Sequence, residues 1–204
     1  MTPSDTRRRL LETAARLFHE QGYEASGVST ILRESGVNSG SLYHHFGSKE
    51  ELLRGVLEYY LDELDPQVTG PAAAETDDPI GRVFALMARY RHGLEITGCT
   101  MGCPIGNLAL ELSDSHPQVR ALIHANFEQW LDVVTSWLED AADRLPADTD
   151  RRSLARFVLT AMEGGIMQSR ASGTFDPFDE SIDQLRRYFD LLEARAASAP
   201  ENIL

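Results

Sequence analysis

The chain has 204 residues, 42% apolar and 25% charged, with two cysteines and a formal net charge of −13. That length buries a core without staples and that balance is globular, which excludes a disordered chain, a collagen-like fibre and a disulfide scaffold. No apolar run reaches the roughly 18 residues of a membrane span, and the N-terminus lacks an apolar signal core, so the cytoplasm is the expected compartment.

An acidic chain argues against a nucleic-acid partner, because phosphate needs a basic footprint. The distribution of charge reverses that inference. Residues 1–54 carry seven basic and seven acidic side chains, so the acidic excess falls entirely on the remainder. A neutral head containing the run Arg7-Arg8-Arg9 suits DNA binding by the head alone, and an acidic body would repel phosphate and orient docking.

The apolar spacing is helical throughout, with no strand-like alternation and no Asn-Gly or Asp-Gly hairpin turn. The expected fold is all-α with about nine helices, a three-helix N-terminal part and a helical C-terminal body. The first helix is expected from Asp5 to Gln21, with Leu10, Ala14 and Phe18 on one stripe and Gly22 past its end. A second, Val28 to Ser35, stops at Gly36. Asn38 caps a third, Ser39 to His45. Ser48 and Glu51 form a capping box for a fourth, which runs through Leu64 and ends at Pro66. Residues 66–77, rich in Pro, Gly and Ala, read as a loop joining two parts. Asp78-Pro79 opens a fifth helix to Glu95, Thr97 to Pro104 is a turn-rich break, and Ile105 to Leu112 is a sixth. His116-Pro117 starts a seventh, ending near Leu145-Pro146. Thr149 or Asp150 caps an eighth to Ser172, and a ninth runs from Phe178 to Ala197. Residues from Ser198 to Leu204 are expected to fray.

The second and third helices, joined by Ser35-Gly36-Val37-Asn38, make a helix-turn-helix whose glycine supplies the left-handed residue. Such a match alone is weak. The whole string over residues 31–52, ILRESGVNSGSLYHHFGSKEEL, is far more specific. With Gly22-Tyr23 ahead of it, the string resembles the DNA-binding domain of the tetracycline-repressor (TetR/AcrR) family, strongly over residues 8–54. Gly36-Val37, Gly40-Ser41-Leu42-Tyr43, His45-Phe46 and Lys49-Glu50-Glu51-Leu52 carry the match.

The resemblance implies a helix-turn-helix DNA-binding domain over residues 1–47, a connecting helix over 48–65, and a ligand-binding and dimerisation domain over 78–204. Leu42 and Phe46 would be core residues and Val37 would seat the turn. Ser39, Gly40 and Ser41 would open the recognition helix, where short side chains allow close approach. Tyr43 and His44 would face the groove or the phosphates, and His45 the backbone. Lys49, at the start of the fourth helix, would clamp a phosphate with help from the amide dipoles. Two positions depart from the family pattern. Gly27 stands where Thr or Ser usually caps the second helix, leaving Ser26 or Ser29 to cap it or touch phosphate. Ser39 stands where Lys, Arg or Pro is frequent, which removes a cation. Arg7-Arg8-Arg9 are either arm contacts to phosphate or a solvated helix end.

The implied partners are double-stranded operator DNA, a small-molecule effector and a second copy of the chain; no membrane, cofactor or metal is expected. The eighth helix (Leu154, Phe157, Val158, Ala161, Ile166) and the ninth (Ile182, Leu185, Phe189, Leu192) have apolar faces, and the resemblance places a homodimer there. Gly164-Gly165 inside the eighth costs about 1 kcal/mol per glycine relative to alanine, which close helix approach across the dimer, or room for a ligand, would explain. Large soft side chains (Tyr59, Tyr60, Phe84, Met87, Tyr90, Met101, Phe127, Trp130, Met162, Met167) make either a plain core or an effector cavity oriented by Asn107, Asn126 and Gln168. The candidate effector contacts are Tyr90, Cys103, Asn107, Phe127, Trp130 and Met162.

Cys103 precedes Pro104 and so takes the N-cap of the sixth helix, where the helix dipole favours a thiolate. The stretch Gly-Cys-Pro-Ile-Gly-Asn, residues 102–107, also resembles a TetR subgroup, some of whose members sense quinones, aldehydes or other electrophiles through a cysteine near this place. The alternative is a small buried apolar residue. Cys99 lies close enough in sequence for a disulfide or persulfide, whereas two cysteines with His92 fall short of a metal set. The expected function is a transcriptional repressor released by an effector, not an enzyme. The competing reading is a helical-cavity enzyme or thiol redox protein using Cys103, with His92 or His124 as the nearby bases.

Overall fold

The computed structural model describes residues 3–198, with side chains from Asp5 onward; the expected fraying over residues 199–204 lies outside the described residues. Among the described residues every element is helical. There are ten α-helices, nine of them with eight residues or more, and one short π-helical turn.

α1 spans Pro3–Gln21, α2 Val28–Ser35, α3 Ser39–Phe46 and α4 Lys49–Leu64. α1 packs on α2, α3 and α4. Its buried stripe Leu10, Ala14, Leu17 and Phe18 joins Ile31, Leu42, Phe46, Leu52, Leu53 and Val56 in one core. Each large apolar side chain so buried stabilises the fold by about 1.5–3 kcal/mol. Gly55 sets the closeness of this packing: a Cβ there would stand 2.9 Å from the Phe46 ring and 3.0 Å from a Leu11 methyl. Ser48 Oγ accepts the Glu51 amide at 3.1 Å and opens α4.

Pro66 does not end the helical path. α4 passes into the π-helical turn Asp65–Thr69 and then α5, Gly70–Ala74, over residues expected to form a loop. Proline has no amide to continue the α-type ladder, and the chain widens to a longer-range register instead. Gly70 allows the turn to close, since a Cβ there would lie 2.8 Å from the Asp65 carbonyl oxygen.

α6 spans Pro79–Thr97, α7 Pro104–Leu112, α8 Pro117–Asp140, α9 Arg151–Ser172 and α10 Asp176–Ala197. Asp78 caps α6 through the Ile80 amide at 3.2 Å. Asp150, rather than Thr149, caps α9 through the Ser153 amide at 3.0 Å. α8 stops five residues short of the expected Leu145. Its end tightens into three-residue turns, Ala142 to Glu139 at 3.1 Å and Arg144 to Ala141 at 3.0 Å. Arg144 there bonds Asp78 and, at 2.6 Å, Glu193.

The chain divides into two compact units. Residues up to Leu64 together with Met101–Phe127 form the first, so α7 and the start of α8 belong with the helix-turn-helix. Asp65–Thr100 with the residues from Glu128 form the second. In the second unit α9 and α10 lie along one another and α6 packs on both. Gly165 permits the α9–α10 approach: a Cβ there would meet Phe178 Cα at 3.1 Å, whereas Gly164 faces open space. Close approach within the one chain therefore accounts for Gly165. The apolar residues of α9 and α10 divide between the inside and the outside of the chain. Leu154, Val158, Ile166, Leu185, Phe189 and Leu192 are buried within the chain, because their stripes are the ones packed in the unit's own core; Phe157, Tyr188 and Leu191 remain exposed.

Candidate functional site

α3 is a short amphipathic helix held at both ends. Asn38 Oδ1 accepts the Ser41 amide at 2.8 Å, and Gly36, with φ of 63°, turns the chain from α2 into it. The positive φ is one that side chains rarely adopt, so glycine is needed there. Leu42 and Phe46, four residues apart, point inward and are buried. The other face is exposed: Ser39, Gly40, Tyr43 and His44 lie open, with 53% of the Tyr43 surface accessible, while Ser41 and His45 are half-buried. His44 and His45 stack edge to face at 5.2 Å. The helix thus offers two hydroxyls, a bare backbone, a phenol and two imidazoles beside one another.

Lys49 is the first residue of α4. Its ammonium sits 4.1 Å over the Tyr23 ring and donates to the Glu24 carbonyl at 3.5 Å. Burial draws its pKa below the usual lysine range, and the carboxylates of Glu24 and Glu111 act in the opposite direction. Ser29 is exposed in the first turn of α2. Gly27 takes the N-cap of α2 with no side-chain cap, and neither Ser26 nor Ser29 replaces it. The Ser26 hydroxyl is buried instead, bonding the Leu17 carbonyl at 3.1 Å and the Gly22 carbonyl at 2.7 Å. The arginine run divides by partner. Arg8 pairs with Glu12, Arg9 donates to the Ser35 carbonyl, and Arg7 lies 5.3 Å over the Phe46 ring.

The expected effector residues fall in both units. In the first, Cys103 is buried at the N-cap of α7, its sulfur accepting the Gly106 amide at 3.4 Å. Asn107 donates to the Met101 carbonyl at 2.7 Å, closing the turn that precedes α7, and Phe127 is half-buried on α8. The Tyr60 hydroxyl donates to the Ala15 carbonyl at 3.2 Å; burial pushes its pKa far above the usual phenol range, and the Cys103 thiol adds to the shift. In the second unit Tyr90 and Trp130 meet edge to face at 6.0 Å, and Met162 is fully buried. Of the polar residues expected to orient a ligand, Asn126 bonds the Leu57 and Leu122 carbonyls, at 3.1 and 2.9 Å, and Gln168 is exposed, as is Met167. Cys99 and Cys103 are not joined in a disulfide.

Two features had no sequence signal. One is a groove of about 550 Å³ on α9 and α10, lined by Leu154, Phe157, Tyr188, Leu192 and Arg195 among others. The other is Glu111 of α7, whose carboxylate accepts the backbone amides of Tyr23 and Glu24.

Residues 10–56 match the family described as bacterial regulatory proteins, tetR family. Residues 79–185 match the tetracyclin repressor-like C-terminal domain. The HTH-type transcriptional regulator LmrA of Bacillus subtilis (strain 168) is 31% identical over 179 residues, covering 87% of this chain and 93% of that protein. The HTH-type transcriptional repressor DhaR of Mycobacterium sp. (strain GP1) is 27% identical, over 89% of this chain and 91% of its own. A TetR transcriptional regulator from Chloroflexus aurantiacus superposes with a TM-score of 0.81 at 25% identity, over 92% of this chain and 96% of that one.

Proposed function

The chain belongs to the TetR family of DNA-binding transcriptional regulators, and from that premise we propose that it is a cytoplasmic, homodimeric repressor released from operator DNA by a small-molecule effector. The sorting of α3 carries the reading: Leu42 and Phe46 are spent on the core while Ser39, Gly40, Tyr43 and His44 are left to the outside. Residues 1–47 bind DNA, 48–65 connect, and 78–204 receive the effector and dimerise. α3 enters the major groove. Ser39, Gly40 and Ser41 allow its close approach, Tyr43 and His44 reach bases or phosphates, and His45, Ser29 and Lys49 contact the backbone. Likeness to a protein described as a repressor supports repression over activation. Exposed Phe157, Tyr188 and Leu191 support a dimer through α9 and α10.

The effector contacts Tyr90, Cys103, Asn107, Phe127, Trp130 and Met162, and Cys103 senses electrophiles, as a cysteine near this place does in some members of the subgroup that residues 102–107 resemble. Its thiolate adds to an electron-poor alkene carbon of a quinone or enal. A carbon–sulfur bond forms, the proton lost by sulfur ends on the adduct, and no external oxidant is needed. An adduct at the α7 N-cap loads a helix that packs on α1, and the effector acts by favouring the state that does not bind DNA.

Fluorescence anisotropy on DNA from upstream of the chain's own coding sequence, against scrambled competitor at two salt concentrations, tests the reading. Tight, selective, salt-sensitive binding that is lost on adding a quinone, and retained in Cys103→Ser, is the expected result. Binding without selectivity on any duplex would refute it.

A further inference from the structure

Glu111 contributes to no contact assigned above to DNA or effector. It lies on α7, and its two carboxylate oxygens divide between adjacent amides of the turn from α1 to α2: Oε2 accepts from Tyr23 at 2.9 Å and Oε1 from Glu24 at 2.8 Å. Gly22, with φ of 86°, lets the turn close on the carboxylate, since a Cβ there would stand 3.0 Å from Oε2. The Tyr23 ring is further fixed by the edges of Phe18 at 5.3 Å and His116 at 5.4 Å. Both contacts of the Lys49 ammonium, the Tyr23 ring and the Glu24 carbonyl, are thus made by the two residues whose amides Glu111 holds.

We infer that Glu111 is a positioning residue for DNA binding, holding the Tyr23–Glu24 turn so that it presents the Lys49 ammonium to a backbone phosphate. The inference rests on the reading of Lys49 as a phosphate contact. A lysine has a long stem with large rotamer freedom, and a seat that restricts it beforehand lowers the ordering cost at binding. The opposite sign is the competing physical effect. A carboxylate near bound DNA repels phosphate, so a role limited to its charge predicts tighter binding once it is removed. Positioning predicts weaker binding.

Full-length wild type, Lys49→Ala, Glu111→Ala, Glu111→Gln and the Lys49→Ala/Glu111→Ala double variant are titrated by anisotropy across a salt series. The probe is a labelled duplex that the wild-type protein enriches from a random-sequence pool. Lys49→Ala and Glu111→Ala are each expected to weaken binding about tenfold and to make log affinity against log salt shallower by about one per head. The double variant binds no more weakly than Lys49→Ala alone, and Glu111→Gln, with one acceptor left for two amide donors, falls between. Unchanged or tighter binding by Glu111→Ala, or additive losses in the double variant, overturns the inference. If Glu111→Ala does not fold, Glu111→Gln keeps the shape, and tighter or unchanged binding by it has the same force. A Lys49→Ala protein with wild-type affinity and slope instead refutes the phosphate reading, and a pool with no enriched duplex refutes the DNA reading beneath it.

Discussion

Gly55 sits in the interior of α4, where alanine would ordinarily stabilise a helix by about 1 kcal/mol. The structure reverses that expectation. An added Cβ would stand 2.9 Å from the Phe46 ring and 3.0 Å from Leu11 Cδ2. Both neighbours are buried, Phe46 at 6% and Leu11 at 4% exposure, so neither can retreat into solvent. Overpacking of this kind costs about 1–3 kcal/mol, and two contacts below ordinary van der Waals distance place the site in the upper part of that range. The expected net effect of Gly55→Ala is a loss of about 1 kcal/mol. Urea unfolding followed by far-ultraviolet circular dichroism, at one fixed protein concentration, measures it. Displacing the Phe46 ring also tilts α3, so operator affinity falls together with stability. In a Leu11→Ala background, where one of the two close contacts is removed, the same substitution costs less than in the wild-type background. A higher unfolding midpoint for Gly55→Ala in the wild-type background would refute the packing argument.

Other outcomes follow from single contacts. Asn38→Ala removes the acceptor for the Ser41 amide and is expected to cost about 1 kcal/mol in urea unfolding, with weaker DNA binding because α3 frays at its DNA-facing end. Hydrogen bonds from Ser153 hold the Asp150 carboxyl below the usual aspartate range. Its stabilising effect is therefore complete above the ordinary aspartate pKa and is lost as pH falls through the lowered folded value. Asp150→Asn, which caps as well but does not titrate, is expected to match wild type at neutral pH and to lose less stability on acidification; an identical acid profile would count against the cap. Phe157→Glu places a charge on a ring that is 49% exposed, so the chain should fold normally while sedimentation shows a smaller species. A variant that stays dimeric would move the dimer away from this face.

Elements defined by local chemistry were legible before the structure. α2, the start of α3 and the start of α9 follow from Gly36, Asn38 and Asp150, whose capping geometry involves residues only a few positions away. That Leu42 and Phe46 turn inward was implied by the family resemblance, since helical spacing puts the two on one face without saying which face is buried. The π turn that contains Pro66 was not legible, because it depends on how Gly70 closes against the Asp65 carbonyl. Which stripe of α9 and α10 lies inside was not legible either, since both helices carry apolar residues on more than one face and only tertiary packing chooses between them. Glu111 meets Tyr23 across 88 residues of chain, and no local pattern announces such a bond. Ser26, expected with Ser29 to cap α2 or touch phosphate, instead bonds the Leu17 and Gly22 carbonyls, the first of them nine residues away.

Lys49 is the chain's single lysine among 19 basic residues, and its seat on Tyr23 gives that solitude a chemical use. The neutral amine, not the ammonium, attacks an acylating reagent and displaces its leaving group. Burial lowers the Lys49 pKa, so at mildly alkaline pH a larger share is neutral than for an ordinary lysine. Arginine guanidinium groups stay protonated and inert under those conditions. Apart from the amino terminus, an amine-directed dye would mark one atom of the chain, at the place assigned to a phosphate. Bound operator would shield that atom, and the extent of labelling would read fractional occupancy directly, without any engineered handle.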